Sequence, residues 1–152
     1  MGYVISRKLA LRVRFLQEYL QFISYIETEI RYARRVLIEI IGKYKNETEF
    51  KTFLVAVKAN LNSGMSFSEA WRAAVYKIPN SYGLLKHDKE LICEFGQKLG
   101  TTDVVGQVAL CGLNKSLIGS VLDTAKEEKL KKSKLYFMLG SSFGVCLAII
   151  LL

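Results

Sequence analysis

From Leu135 to Leu152 the sequence carries no charged residue. As a helix, those eighteen residues would be about 27 Å long at ~1.5 Å per residue, close to the roughly 30 Å of hydrocarbon in a bilayer. The run is apolar on every face, whereas a helix buried in a soluble core usually keeps a polar stripe. Ser141 and Ser142 fit within it because a serine hydroxyl can bond a carbonyl one turn back. Lys126, Lys129, Lys131, Lys132 and Lys134 stand directly before it, so the positive-inside rule keeps the preceding residues in the cytoplasm. The chain is expected to divide into a cytoplasmic helical bundle over 1–134 and a transmembrane helix over 135–152. Gly140 and Gly144 give the latter a small-residue face for close helix packing.

The rest of the chain reads as all-α. One proline in 152 residues leaves long helices uninterrupted. Leu9, Val13, Leu16, Leu20, Ile23 and Ile30 follow a 4-3-4-3 rhythm, which predicts a first helix over Ser6–Tyr32. A short second helix over Val36–Ile41 follows, with a soft junction that leaves it open whether the two run together. Asn46 is the expected N-cap of a third helix carrying Phe50, Phe53, Leu54, Val57 and Leu61. Ser66-Phe67-Ser68-Glu69 is an S-x-x-E capping box and opens a helix through Trp71 and Val75. Asn80 or Ser81 is expected to cap a fifth helix, which Gly100 stops. No proline follows Asp103, so a sixth helix is expected to run from there into the membrane. The fold class is a bundle of about six helices whose last member continues as the transmembrane segment.

The charge balance, 22 Lys and Arg against 14 Asp and Glu, is basic enough for a nucleic-acid ligand or a membrane surface. The cations gather beside the apolar tail and at Arg7, Lys8, Arg12 and Arg14, and the aromatics follow helical spacing. Both patterns favour lipid over nucleic acid. Cys93, Cys111 and Cys146 are odd in number and lack metal-ligand spacing, so they read as packed, unpaired thiols. No metal or cofactor is expected.

Two carboxylates, Glu27 and Asp88, fall on apolar stripes. One reading makes them an acid–base pair of a hydrolase. The other, favoured because the two lie on distant helices, is a buried polar contact neutralised by Arg31, His87 or a lysine. There is no nucleophile elbow, P-loop or HExxH motif, and no catalytic constellation. Gly112, Ser116 and Ser120 form a further small face that would permit close helix approach.

Several stretches together resemble the stage III sporulation protein AB family. They are Glu27-x-Glu29-Ile30-x-Tyr32, Ser66-Phe67-x-Glu69-Ala70-Trp71 and Leu99-Gly100-Thr101-Thr102-Asp103-x-x-x-Gln107, with Ala125-Lys126-Glu127-Glu128 and the Gly140-x-x-x-Gly144 tail. On that resemblance Glu27, Glu29, Tyr32, Glu69, Trp71, Gly100, Asp103 and Gln107 are candidate structural or partner-facing residues, and Asp88 joins them from its place on an apolar stripe. Lys129, Lys131, Lys132 and Lys134 flank the membrane. The resemblance implies a bundle similar to the F-type platform protein of type II secretion. It also implies a place in the mother-cell membrane around the forespore, within a channel complex, and a sporulation ATPase as partner. Other channel subunits, membrane lipids and a second copy of the chain are further candidate partners. Relatives carry a transmembrane helix before the segment that here begins at Gly2. The competing readings are a tail-anchored helical regulator without a secretion role, and the hydrolase.

Overall fold

The structure, a computed structural model, describes residues 2–33 and 35–151. Six α-helices and no strand occur among them: α1 (Gly2–Thr28), α2 (Leu37–Lys43), α3 (Glu49–Asn62), α4 (Phe67–Tyr76), α5 (Lys86–Lys98) and α6 (Val104–Leu151). The expected stripe is the buried one: Leu9, Val13, Leu16 and Ile23 on α1, and Ile30 just after it, all face the core, joined by Phe15, Tyr19, Phe22 and Ile26. Only Leu20 lies half out of it.

The spine of the bundle is α1 against α6, and the two run antiparallel. Gly2 abuts the ring of Tyr136. Further along, Arg12 reaches Glu128 at 3.4 Å, the Tyr19 hydroxyl donates to Asn114 Oδ1 at 2.9 Å, and Glu27 pairs with Lys115. Around this spine α3, α4 and α5 close an aromatic core. Trp71 is fully buried among Phe22, Phe53 and Phe95, edge-on to Phe53 at 4.9 Å. Its indole N–H donates to the Ile92 carbonyl at 2.8 Å, which removes the cost of burying an unpaired donor. Gly96 makes room for it: a Cβ there would lie 2.1 Å from Trp71 Cδ1.

Helix boundaries follow local capping chemistry, and several differ from expectation, among them α2, which runs Leu37–Lys43 in place of Val36–Ile41. The first helix begins at Gly2 and changes at Glu29–Ala33 into a single π-helical turn, so the regular α-helix ends before Tyr32. The junction to α2 is a real break: Val36 is extended, with φ −69° and ψ 141°. Arg34, within that junction, lies outside the described residues. Thr48, not Asn46, occupies the N-cap of α3. Asn46 instead accepts from the Thr48 N–H at 2.7 Å, a side-chain turn that delivers the chain to the helix. Residues Asn80–Tyr82 form a 3-10 turn, and α5 starts only after Leu85. Leucine cannot cap; Asp88 reaches back to accept from the Leu85 N–H at 2.9 Å.

The Ser66–Glu69 capping box is formed in full. Gly100 ends α5 at φ +83°, a left-handed conformation that glycine adopts without penalty. Asp103 then caps α6, its Oδ1 accepting from the Gly106 N–H at 2.9 Å. From Val104 the helix continues for 48 residues without interruption. Its most apolar eighteen-residue window has a mean hydropathy of 1.8, and none of that window is buried against the bundle. It is long and apolar enough to cross a membrane.

Candidate functional site: the free end of the bundle

The antiparallel spine gives the bundle two unlike ends. One lies beside Tyr136, where the uncharged part of α6 begins. The other, where α1 finishes and α6 starts, is the end farthest from the apolar tail. The LGTTD stretch and the π turn meet there. Ile30, Arg35, Val36, Leu37, Ile38, Phe67, Gly100, Val104 and Gln107 line a groove of about 500 Å³.

The groove is built by the local chemistry of its edges. The left-handed Gly100 turns the chain sharply, so that Val104 and Gln107 face the π turn. Gln107 is fixed by donating its side-chain amide to the Thr102 carbonyl at 2.8 Å. Opposite it, Glu29 pairs with Arg35 at 3.3 Å, holding the first residue of the π turn to the start of α2. A single π turn widens a helix by one residue and is costly enough to be uncommon outside functional places. Here it turns Tyr32 outward. Of the lining residues Val36 and Ile38 are exposed, and so are Tyr32 (79%) and Val105 (76%), which stand beside the lining residues Ile30 and Val104 in the chain. Apolar residues clustered in this way, rather than scattered singly, mark a surface that binds something.

The other candidate residues lie elsewhere. Glu27 sits partly buried just below the free end, bonded to Lys115 and to Arg31 at 3.0 Å. The Lys115 hydrogen bond, first, and the Arg31 bond hold its carboxyl below the usual carboxylate range against the opposing effect of burial. Glu69 is exposed and spent on the α4 cap, and Trp71 is core. Asp88 is fully buried. Its partner is neither Arg31, His87 nor a lysine. Arg12 embraces it, Nε at 2.7 Å from Oδ2 and NH2 at 3.0 Å from Oδ1. Arg12, grouped by sequence with the membrane-facing cations, is thus drawn into the core. Fifteen residues of α1, about 22 Å of helix, separate Arg12 from Glu27, so the two carboxylates occupy separate surroundings.

Lys129, Lys131, Lys132 and Lys134 are all exposed just before the apolar segment, and Gly140 and Gly144 face open space. Gly112, Ser116 and Ser120 are on the outside of α6, so they mediate no close helix approach within the chain. Cys111 is buried and burial raises its thiol to about 11; Cys93 is half-buried and Cys146 exposed on the tail.

Sequence reasoning missed the buried polar residues that pin the helices together. Asn114 also donates to the Leu91 carbonyl at 3.3 Å, Asn60 donates to the Ala70 carbonyl at 3.1 Å, and Glu18 accepts from the Thr48 hydroxyl at 2.5 Å. Periodicity held a signal for these: Asn60 and Asn114 fall on the buried faces of α3 and α6.

The family model of stage III sporulation protein AB matches residues 1–152, the whole chain. The protein belongs to that family. Its role is therefore in sporulation, and its helical body with an apolar C-terminal helix suits a membrane of the sporulating cell. Neither the curated proteins nor the solved structures include a match.

Proposed function

We propose that the protein is a non-enzymatic platform subunit of the channel complex between mother cell and forespore. In this reading α6 anchors it in the mother-cell membrane around the forespore. Its free end docks a cytoplasmic sporulation ATPase, and the bundle is similar in role to the F-type platform protein of type II secretion. The observation that carries the reading is the apolar-rimmed groove at the end opposite the tail, joined to that tail by one unbroken helix. A partner pressing on Val104 and Val105 would act directly on the first turn of the rod that enters the membrane. The hydrolase reading lacks such support, because Asp88 has no access to solvent and both its oxygens are engaged.

Pull-down of purified sporulation ATPase by the full chain in detergent tests the proposal. Val36→Asp with Val105→Asp should abolish capture, and Lys131→Glu with Lys132→Glu should leave it intact while disturbing membrane orientation. The reverse ranking would make the basic cluster the docking site. No capture by the parent protein would favour the tail-anchored regulator.

A further inference from the structure

A second cavity, of about 340 Å³, lies at the opposite end of the bundle, between α1 and the 3-10 turn. Tyr3, Arg7 and Lys8 form one wall and Ser81 and Tyr82 the other. The turn is clamped in place. Gly83, at φ +71°, approaches α1 so closely that a Cβ there would lie 2.5 Å from the Lys8 carbonyl oxygen. Tyr82 leans on buried Phe15 at 6.1 Å.

The charge of this cavity is positive and unspent. Neither Arg7 nor Lys8 makes a salt bridge among the described residues. The one carboxylate among its lining residues, Glu49, pairs with Arg14 at 3.3 Å, while its buried Oε2 accepts no hydrogen bond. Two free cations, a serine hydroxyl and two tyrosines make a donor set suited to a phosphate ester.

Its depth follows from the register of the spine. Gly2 abuts Tyr136, the second residue of the uncharged run. Arg7 lies five residues beyond Gly2, as Lys131 lies five before Tyr136, so both stand about 7.5 Å outside the apolar boundary at ~1.5 Å per residue. The polar layer on each side of a bilayer is about 5–8 Å deep. The cavity therefore opens at headgroup level, with exposed Tyr3 and Val4 reaching toward the acyl chains.

The geometry points to a binding site for the phosphate of an anionic phospholipid, held by Arg7 and Lys8 against the Ser81–Tyr82 turn. This rests on α6 crossing the membrane. The lipid would hold α1 and the 3-10 turn at the bilayer surface beside α6, fixing the tilt of the bundle.

The test is native mass spectrometry of the full chain released from detergent micelles containing equal phosphatidylglycerol and phosphatidylcholine. The parent should retain one phosphatidylglycerol. Arg7→Gln with Lys8→Gln should reduce that retention about 25-fold, at roughly five-fold for each basic residue at a charged surface. Arg72→Gln with Lys77→Gln, which removes the same charge elsewhere, should leave it unchanged. Equal retention by the Arg7/Lys8 variant, or equal loss in the two variants, overturns the site. Displacement of the lipid by millimolar glycerol phosphate would also overturn it, in favour of a pocket for soluble phosphate esters. A parallel measurement separates the anchoring premise: in a Cys93→Ser background, Cys146 in sealed vesicles should resist a water-soluble maleimide. Labelling there would overturn the anchor and the depth argument together, whereas protection with no effect at Arg7 and Lys8 would overturn the lipid site alone.

Discussion

Replacing Asp88 by asparagine should unfold the bundle at markedly lower temperature, and the structure sets the size of the effect. Asp88 is fully buried, its two oxygens are shared between the Arg12 guanidinium and the Leu85 N–H, and Arg12 is only 4% exposed. Breaking a buried pair by neutralising one member leaves an uncompensated charge and costs about 3–5 kcal/mol. Glu128, partly exposed and 3.4 Å from Arg12, takes up some of that charge, which places Asp88→Asn at the lower end, about 3 kcal/mol. For a chain of this size each kcal/mol moves the midpoint by about 2–4 °C, so a fall of roughly 6–12 °C is expected. Asp88→Ala also loses the bond to the Leu85 N–H at the start of α5, for about 1 kcal/mol more. The double variant Arg12→Met with Asp88→Leu should recover most of the loss, because an apolar pair of similar volume is often as stable as the ions it replaces. Thermal melts of the full chain in detergent, followed by circular dichroism and Trp71 fluorescence, give all three numbers. An Asp88→Asn midpoint within 1–2 °C of the parent, or a double variant no better than the single, would refute the claim that this pair locks α1 to α5.

Gly96→Ala should cost at least about 1–3 kcal/mol by overpacking and should red-shift Trp71 emission, since the added methyl lands on the indole ring; an unshifted spectrum would contradict the packing described. The Glu27 carboxyl is held below its ordinary value, so its ion pair adds stability that is present above about pH 4.3 and is lost as pH falls through the folded value. Glu27→Gln should therefore flatten the decline in melting temperature below about pH 4.3 and leave its shape above that unchanged. Cys111, buried and raised to about 11, should stay unmodified by maleimide at neutral pH in the folded protein and react fully once urea opens the bundle.

Much of the architecture was legible because it is written in local chemistry. The Ser66–Glu69 box, the glycine stop at Gly100 and the Asp103 start of α6 each depend on residues within a few positions of one another. The start of α5 was hidden for the opposite reason: Leu85 has no capping side chain, and the bond comes from Asp88 three residues later. The identity of the partner of Asp88 lay 76 residues away, where only the three-dimensional approach of α1 to α5 selects Arg12 from many cations. The free-end groove was illegible as a unit for the same reason. Glu29, Tyr32, Gly100 and Gln107 stood out singly, but their meeting needs the antiparallel return of α6, and a π turn leaves no mark in apolar periodicity.

In the proposed arrangement the partner ATPase meets the free end while the tail holds the membrane. Photo-crosslinking in sporulating cells distinguishes the two ends, with a photoreactive amino acid placed at Val105 in one strain and at Lys131 in another. An adduct with the ATPase is expected from Val105 and, from Lys131, adducts with lipid or membrane neighbours only. An ATPase adduct from Lys131 with none from Val105 would contradict it.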